Sequence, residues 1–349
     1  MTADSYLPLV EVSRGETVES IHYGAIAIAD KNGELFASFG DPNKVSFLRS
    51  TAKPFQALPF IESEGHIKFN FTEKEIALIC ASHSGTDAHF EAVKGIQAKV
   101  GLTESDLACG SHRPYHVPTG DQLILRNEKP SPNRHNCSGK HTGMLAYAVH
   151  KNFPTEEYLK NGRPVQDAIL KCFSEFSRVP IEKIGLGIDG CSAPNFAVPL
   201  FNGACAWASL ADPSELSSER QVACKTITKA MMAHAFMVAG PDRFDTALME
   251  AGNGLIVAKG GAEGYQGIGL LPGALGEGSP GLGITIKVSD GDILNRARPI
   301  VTLEVLRQLG AISASALEEL KNFGPEKDVL NWRKLVVGQM RPSFKLKFA

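Results

Sequence analysis

No run of apolar residues in this chain approaches the length of a membrane span. Met1 to Glu11 also lack the basic segment and continuous apolar stretch of a secretory signal. Lys and Arg (36) nearly balance Asp and Glu (38), and no Lys/Arg-rich run appears, so the footprint that nucleic acid or an anionic membrane requires is missing. A small, weakly charged partner is expected instead, with no nucleic acid and no membrane. Internal repeats and low-complexity segments are absent too, which excludes repeat architectures. The seven cysteines, at 80, 109, 137, 172, 191, 205 and 224, are an odd number spread along a long chain. That pattern fits reduced thiols in a cytoplasmic protein better than a disulfide framework. What is present is 349 residues with 43% hydrophobic content, enough for a sizeable core in one large domain or two.

The stretch Phe47-Leu48-Arg49-Ser50-Thr51-Ala52-Lys53-Pro54-Phe55-Gln56 places a hydroxyl and an amine three residues apart. On a helix these share a face, so a neutral Lys53 could take the Ser50 proton. The amine is a base only if burial or neighbouring cations lower its pKa, and the apolar setting of Phe47, Leu48, Phe55 and Leu58 is compatible with that. Pro54 lacks the amide that a helix interior must donate, so the helix starts here and Ser50 lies near its N-terminus. Helix amides there would favour a developing negative charge. A Ser-x-x-Lys match also arises by chance in a chain of this composition, and the motif gains meaning only from its company.

Strands are expected over residues 8–13, 22–29 and 34–38, with Asn32-Gly33 as a hairpin turn. Thr72-Glu73-Lys74-Glu75 is a capping box that opens a helix running to about Ser82. Asp87 is read as the cap of the next, whose Phe90, Val93, Ile96 and Val100 form a core-facing stripe. Residues 105–136 show no sustained period and read as a functional loop. Helices follow at 142–149, 164–176, about 218–236 and 241–250, with a short strand at 184–188. From Gly254 strands return, at 255–259, 265–270 and 283–288, and a helix covers about 293–309. The Lys345-Leu346-Lys347 tail is read as solvated.

Strands at both ends and helices between predict an α+β fold, one antiparallel sheet built from N- and C-terminal strands with flanking helices. The whole of 1–349 forms one unit, with a sheet lobe of about 1–49 and 251–349 and a mainly helical lobe of about 50–250. This layout, with Ser-x-x-Lys at a helix start and a lysine on a later strand, is similar to the serine β-lactamase and penicillin-binding protein fold. Lys259-Gly260-Gly261 stands where that fold has Lys-Thr-Gly, although a Ser-Asp-Asn motif has no match.

Taken together, Ser50/Lys53, Ala81-Ser82-His83-Ser84-Gly85, Asn136-Cys137-Ser138-Gly139-Lys140-His141, Asp189-Gly190-Cys191-Ser192-Ala193-Pro194 and Lys259 resemble the L-asparaginase II (rhizobial-type) family over almost the whole chain. The resemblance implies release of ammonia from L-asparagine, with Ser50 and Lys53 as one Ser-Lys tandem and Ser82 with Lys259 as the second. It also implies a homodimer and a zinc ion held by Cys137, Lys140 and Cys191, with water completing the shell and Asp189 nearby. Spacing alone favours two buried structural cysteines, since Cys-x-x-Lys is not a usual zinc spacing, and the resemblance reverses that preference. Ser50 is the first choice of nucleophile, though an attack by Ser82 stays open.

Arg49 is either a fork for the substrate carboxylate or an ordinary ion pair. His141 and Asp189 are further candidates for substrate contact, and His83 either orients the Ser82 loop or is satisfied by backbone. His112, His116 and His135 match no metal spacing and read as loop residues. Two alternatives remain: a serine peptidase, esterase or β-lactamase-like hydrolase on the same fold, and a non-catalytic zinc- or amino-acid-binding protein. The intact lysines argue against the second.

Overall fold

A computed structural model describes residues 6–349. The chain divides into two compact units. One holds the chain up to Thr51, Ala197–Glu215 and Ala247–Ala349; the other holds Ala52–Phe196 and Leu216–Thr246.

The first unit is built on a nine-stranded sheet. Its N-terminal strands are β1 (Leu7–Arg14), β2 (Thr17–Asp30) and β3 (Leu35–Phe39), followed by a short β4 (Val45–Phe47) outside that sheet. Strands β5 (Gly185–Ile188) and β6 (Pro194–Pro199) come from mid-chain. Val45 to Phe47 of β4 pair antiparallel with Pro199 to Ala197 of β6. The C-terminal strands are β7 (Ile256–Gly260), β8 (Tyr265–Leu270), β9 (Leu282–Val288), β10 (Lys327–Leu330), β11 (Val336–Pro342) and β12 (Lys347–Phe348). Strand order is β10-β11-β1-β2-β9-β8-β7, with β3 beside β2 and β12 beside β3. Every pairing recorded for this sheet is antiparallel, so the expected α+β sheet of N- and C-terminal strands is what forms. The tail is not simply solvated: Lys347 and Phe348 pair with Ser38 and Ala37, and Leu346 is buried.

The helices in chain order are α1 (Lys53–Glu62), α2 (Gly65–Lys68), α3 (Glu73–Ile79), α4 (Asp87–Val100), α5 (Val117–Leu125), α6 (Ser138–Lys151), α7 (Pro164–Ser177), α8 (Leu200–Ala211), α9 (Ser218–Ala233), α10 (Ala235–Val238), α11 (Phe244–Ala251), α12 (Ala297–Leu309) and α13 (Ala314–Glu319). In the sheet unit α8 packs on β2, β8 and β9, while α12 packs on β1, β8, β9 and β11. Gly283 makes the first of these packings possible, because a Cβ there would lie 1.9 Å from the Ala204 carbonyl of α8. Thr285, two residues on and so on the same face, donates to Leu200 O at 2.8 Å.

The helical unit is organised around α1, which touches α6, α7 and α9 and is buried from Lys53 to Ile61. Pro54 falls in the first turn, where no amide is needed, as the sequence requires; Pro59 sits further inside the helix. The Thr72 box forms, its hydroxyl accepting from the Glu75 amide at 3.3 Å and its own amide donating to Glu75 at 2.7 Å. Three expectations are corrected. The α3 helix stops at Ile79, Thr86 rather than Asp87 caps α4, and residues 105–136 are not structureless but contain α5. Among the described residues no helix is long and apolar enough to cross a membrane.

Candidate active site

In the helical unit the residues singled out from sequence converge. Lys53, the first residue of α1, is fully buried, and its ammonium donates to Ala81 O at 2.5 Å and Ser82 Oγ at 2.8 Å. No carboxylate pairs with it among the described residues. The amine and hydroxyl bonded in this unit are therefore Lys53 and Ser82.

Ser82 lies on the segment after α3 that is tied down on both sides. Its amide donates to Val238 O at 2.9 Å, the Ser84 hydroxyl donates to Ala239 O at 2.7 Å, and His83 N–H reaches Asn136 O at 3.1 Å. Arg134 reaches the Gly85 carbonyl at 3.0 Å. His83 is held by more than backbone. Its Nδ1 accepts from Gly85 N–H at 3.1 Å, which leaves Nε2 to donate to Ser138 Oγ at 2.9 Å, and Ser138 donates to Asn133 O at 2.8 Å. Burial, with His89 stacked on it at 4.8 Å, holds His83 well below the ordinary imidazole pKa, so it is a neutral strut.

The Asn136 to His141 stretch leads into α6, and Gly139 lets that helix start close to the end of α3: a Cβ there would lie 2.2 Å from Leu78 O. Lys140 then donates to Cys191 Sγ at 2.9 Å. Cys191 stands on a turn where Asp189 N–H donates to Ala193 O and Ser192 N–H to Asp189 O, both at 2.9 Å, with Ser192 at φ 69°. The Cys137 thiol is pushed well below its usual value by a hydrogen bond from Cys191 and by the charges of Lys53 and Lys140. Burial opposes the charge of Lys140, yet Cys191 and Cys137 keep its pKa raised. Lys53 therefore adjoins both the Ser82 segment and the pair of cysteines.

His141 is fully buried, its Nδ1 2.7 Å from the Tyr158 hydroxyl, and Nε2 has no nitrogen or oxygen partner and is coupled to the Cys191 sulfur. Burial lowers its pKa to about 4. Of the donors gathered here, the two thiols and the imidazole are of the types zinc takes, while the Lys140 amine is an unusual one. Among the described residues, however, no three His, Cys, Asp or Glu side chains form a metal-holding group. Asp189 is half-buried and acts on Lys140 by charge.

His135 and His112, loop residues by their spacing in the sequence, border this cluster. His135 is buried, accepts from Cys137 N–H at 3.0 Å, and is coupled by charge to Cys191, Lys53 and Lys140; burial lowers its pKa to about 4. His112 accepts from Asn136 N–H at 3.1 Å and packs edge-on against His135 at 4.4 Å. For His135, only its place two residues before Cys137 hinted at this; for His112, nothing local did.

The sheet unit carries the other candidates. Ser50, half-buried, lies on a 3-10 turn (Arg49–Ala52), one turn ahead of α1 rather than inside it. Arg49 has φ 52° and pairs with Glu263 at 3.7 Å, so the ordinary ion pair does form. Lys259 is buried on β7, and its amine donates to Gly260 O at 2.7 Å.

The L-asparaginase II family description matches residues 10–342. The chain belongs to that family, and is therefore an amidohydrolase with a small-molecule substrate. No curated protein matches it. Among solved structures, a probable glutaminase from Bacillus subtilis complexed with 6-diazo-5-oxo-L-norleucine is similar over 83% of this chain and 84% of its own, at 14% identity and a TM-score of 0.38. Mglu in its native form is similar over 82% of this chain and 63% of its own, at 16% identity and a TM-score of 0.42.

Proposed function

We propose that this amidohydrolase cleaves the side-chain amide of L-asparagine to L-aspartate and ammonia by Ser-Lys nucleophilic catalysis. The observation that carries the reading is the Lys53 amine, buried without a carboxylate and hydrogen-bonded to a serine hydroxyl at 2.8 Å. A structural lysine at such depth is ordinarily paired with an acid, whereas a base for serine must reach the hydroxyl and shed its proton. In this reading Ser50 attacks the amide carbon with Lys53 as its base, and Ser82 with Lys259 returns a proton to the leaving ammonia; attack by Ser82, the serine whose hydroxyl Lys53 holds, is the second assignment. Arg49, His141 and Asp189 contact or orient the substrate. Water then releases aspartate from the acyl-serine. Cys137, Lys140 and Cys191 would hold a zinc ion, Lys140 after losing its proton, and the bound ion would supply positive charge that orients the amide.

The test is ammonia release by purified protein. A site that grips both ends of a small substrate penalises one added methylene beyond simple burial, so kcat/KM for L-asparagine should exceed that for L-glutamine by at least about a hundredfold. Equal values would make the chain a broader amidohydrolase, and hydrolysis of a chromogenic β-lactam in preference to both would favour the β-lactamase-like alternative. Elemental analysis of the same preparation should find one zinc per chain; none would remove the ion from this reading.

A further inference from the structure

The turn that bears Ser50 is pressed on by the turn joining β7 to β8. Gly261, the first residue after β7, closes that turn by donating its amide to Tyr265 O at 2.8 Å. A Cβ at Gly261 would lie 2.8 Å from Leu48 O, 3.2 Å from Thr51 Cγ2 and 3.4 Å from Arg49 Cβ. Three of the four residues from Leu48 to Thr51 thus abut this one glycine. Its backbone angle is not left-handed, so the absence of a side chain serves close approach. Two residues on, Glu263 pairs with Arg49, and both hold the left-handed conformation that non-glycine residues rarely adopt, at φ 59° and 52°. The turn is itself fixed: Arg298 donates to Gly261 O at 3.1 Å and Tyr265 O at 3.3 Å, and Lys287 donates to Glu263 O.

We propose that Gly261 and Glu263 are positioning residues for Ser50, the first by abutting its turn and the second by holding Arg49 in its left-handed conformation. The inference rests on the amidohydrolase reading with Ser50 as nucleophile. Thr51 and Leu48 are fully buried and the Thr51 hydroxyl donates to Leu48 O at 2.8 Å, which anchors the turn on its inner side. Gly261 and Glu263 fix it on the side of Arg49, and a displacement near 1 Å at a reacting atom costs about a hundredfold in rate.

The experiment compares the parent with Gly261→Ala, Glu263→Gln and Glu263→Asp. It measures kcat, KM, thermal midpoint, and the rate at which a fluorophosphonate labels Ser50, read by peptide mass mapping. Gly261→Ala should lower kcat and Ser50 labelling together by at least about tenfold, with KM within about twofold. Glu263→Gln should lower both by a smaller factor, with Glu263→Asp recovering part of the loss. A folded Gly261→Ala with parental kcat and labelling overturns the proposal. If that variant does not fold, Glu263→Gln decides, and parental values there overturn it. A parent that labels at Ser50 but releases no ammonia from asparagine or glutamine sinks the substrate reading while the labelling rates still judge the clamp. A parent unlabelled at Ser50 overturns the clamp itself.

Discussion

Lys53, hydrogen-bonded to the Ala81 carbonyl and the Ser82 hydroxyl, serves as a base in the proposed reaction only if its proton moves. Lys53→Met keeps similar length and apolar volume while removing the base, so kcat/KM for the amide should fall by about a thousandfold or more in a protein with unchanged circular dichroism. A variant with the parental rate and pH profile would make Lys53 structural. The Ser-x-x-Lys spacing of Ser50 and Lys53 was legible from sequence, and so was the grouping of Cys137, Lys140 and Cys191 once family resemblance was weighed. The Lys53–Ser82 bond was not. It depends on the Ser82 segment being tied to Val238 and Ala239, more than 150 residues away, and no local spacing encodes such a tie. His135 was missed for a related reason, since its ring is held by a backbone amide that any histidine could accept from.

At the scale of elements, the strands read most clearly where turn residues punctuate alternating or continuous apolar runs, as in β2, β8 and β9. Helix α8 escaped notice because it is apolar nearly all round, with buried residues from Leu200 to Ala211 and no polar face to mark a period. That burial explains its packing and gives a test. Gly283→Ala would drive a methyl group into Ala204 O and to within 2.2 Å of Ala208 N, both backbone atoms, so α8 must move off the sheet. Overpacking of this kind costs about 1 to 3 kcal/mol or more. The urea midpoint should fall accordingly with the m-value kept, and a parental midpoint would show that α8 yields freely. The β10–β11 hairpin and β12 also went unread, because their alternate residues are exposed and mixed in character.

For the whole molecule, mild acid should be destabilising. Burial holds His89 at about 4 in the fold, where Nε2 donates to Phe236 O and Nδ1 accepts from Thr86, against 6.5 when free. Between those values the unfolded chain binds a proton that the folded chain refuses, so stability falls as pH drops from 6.5 toward 4 and is level above it. The full effect for one such group is about 3 kcal/mol; His83, His135 and His141 act in the same direction. Urea midpoints at pH 7.5 and 4.5 should therefore converge in His89→Gln relative to the parent, and an unchanged gap would exonerate this ring. The strand order carries a different consequence. The strands β1, β2 and β3 pair with one another locally, but residues 24–30 of β2 also pair with 282–288 of β9, and 10–12 of β1 with 340–342 of β11, partners that are translated much later. The contiguous helices from Lys53 onward can collapse on local interactions in the meantime. A nascent chain thus carries an open edge on β1 and another on β2 through most of its synthesis, the kind of exposed edge that invites pairing with other chains before the protein is complete.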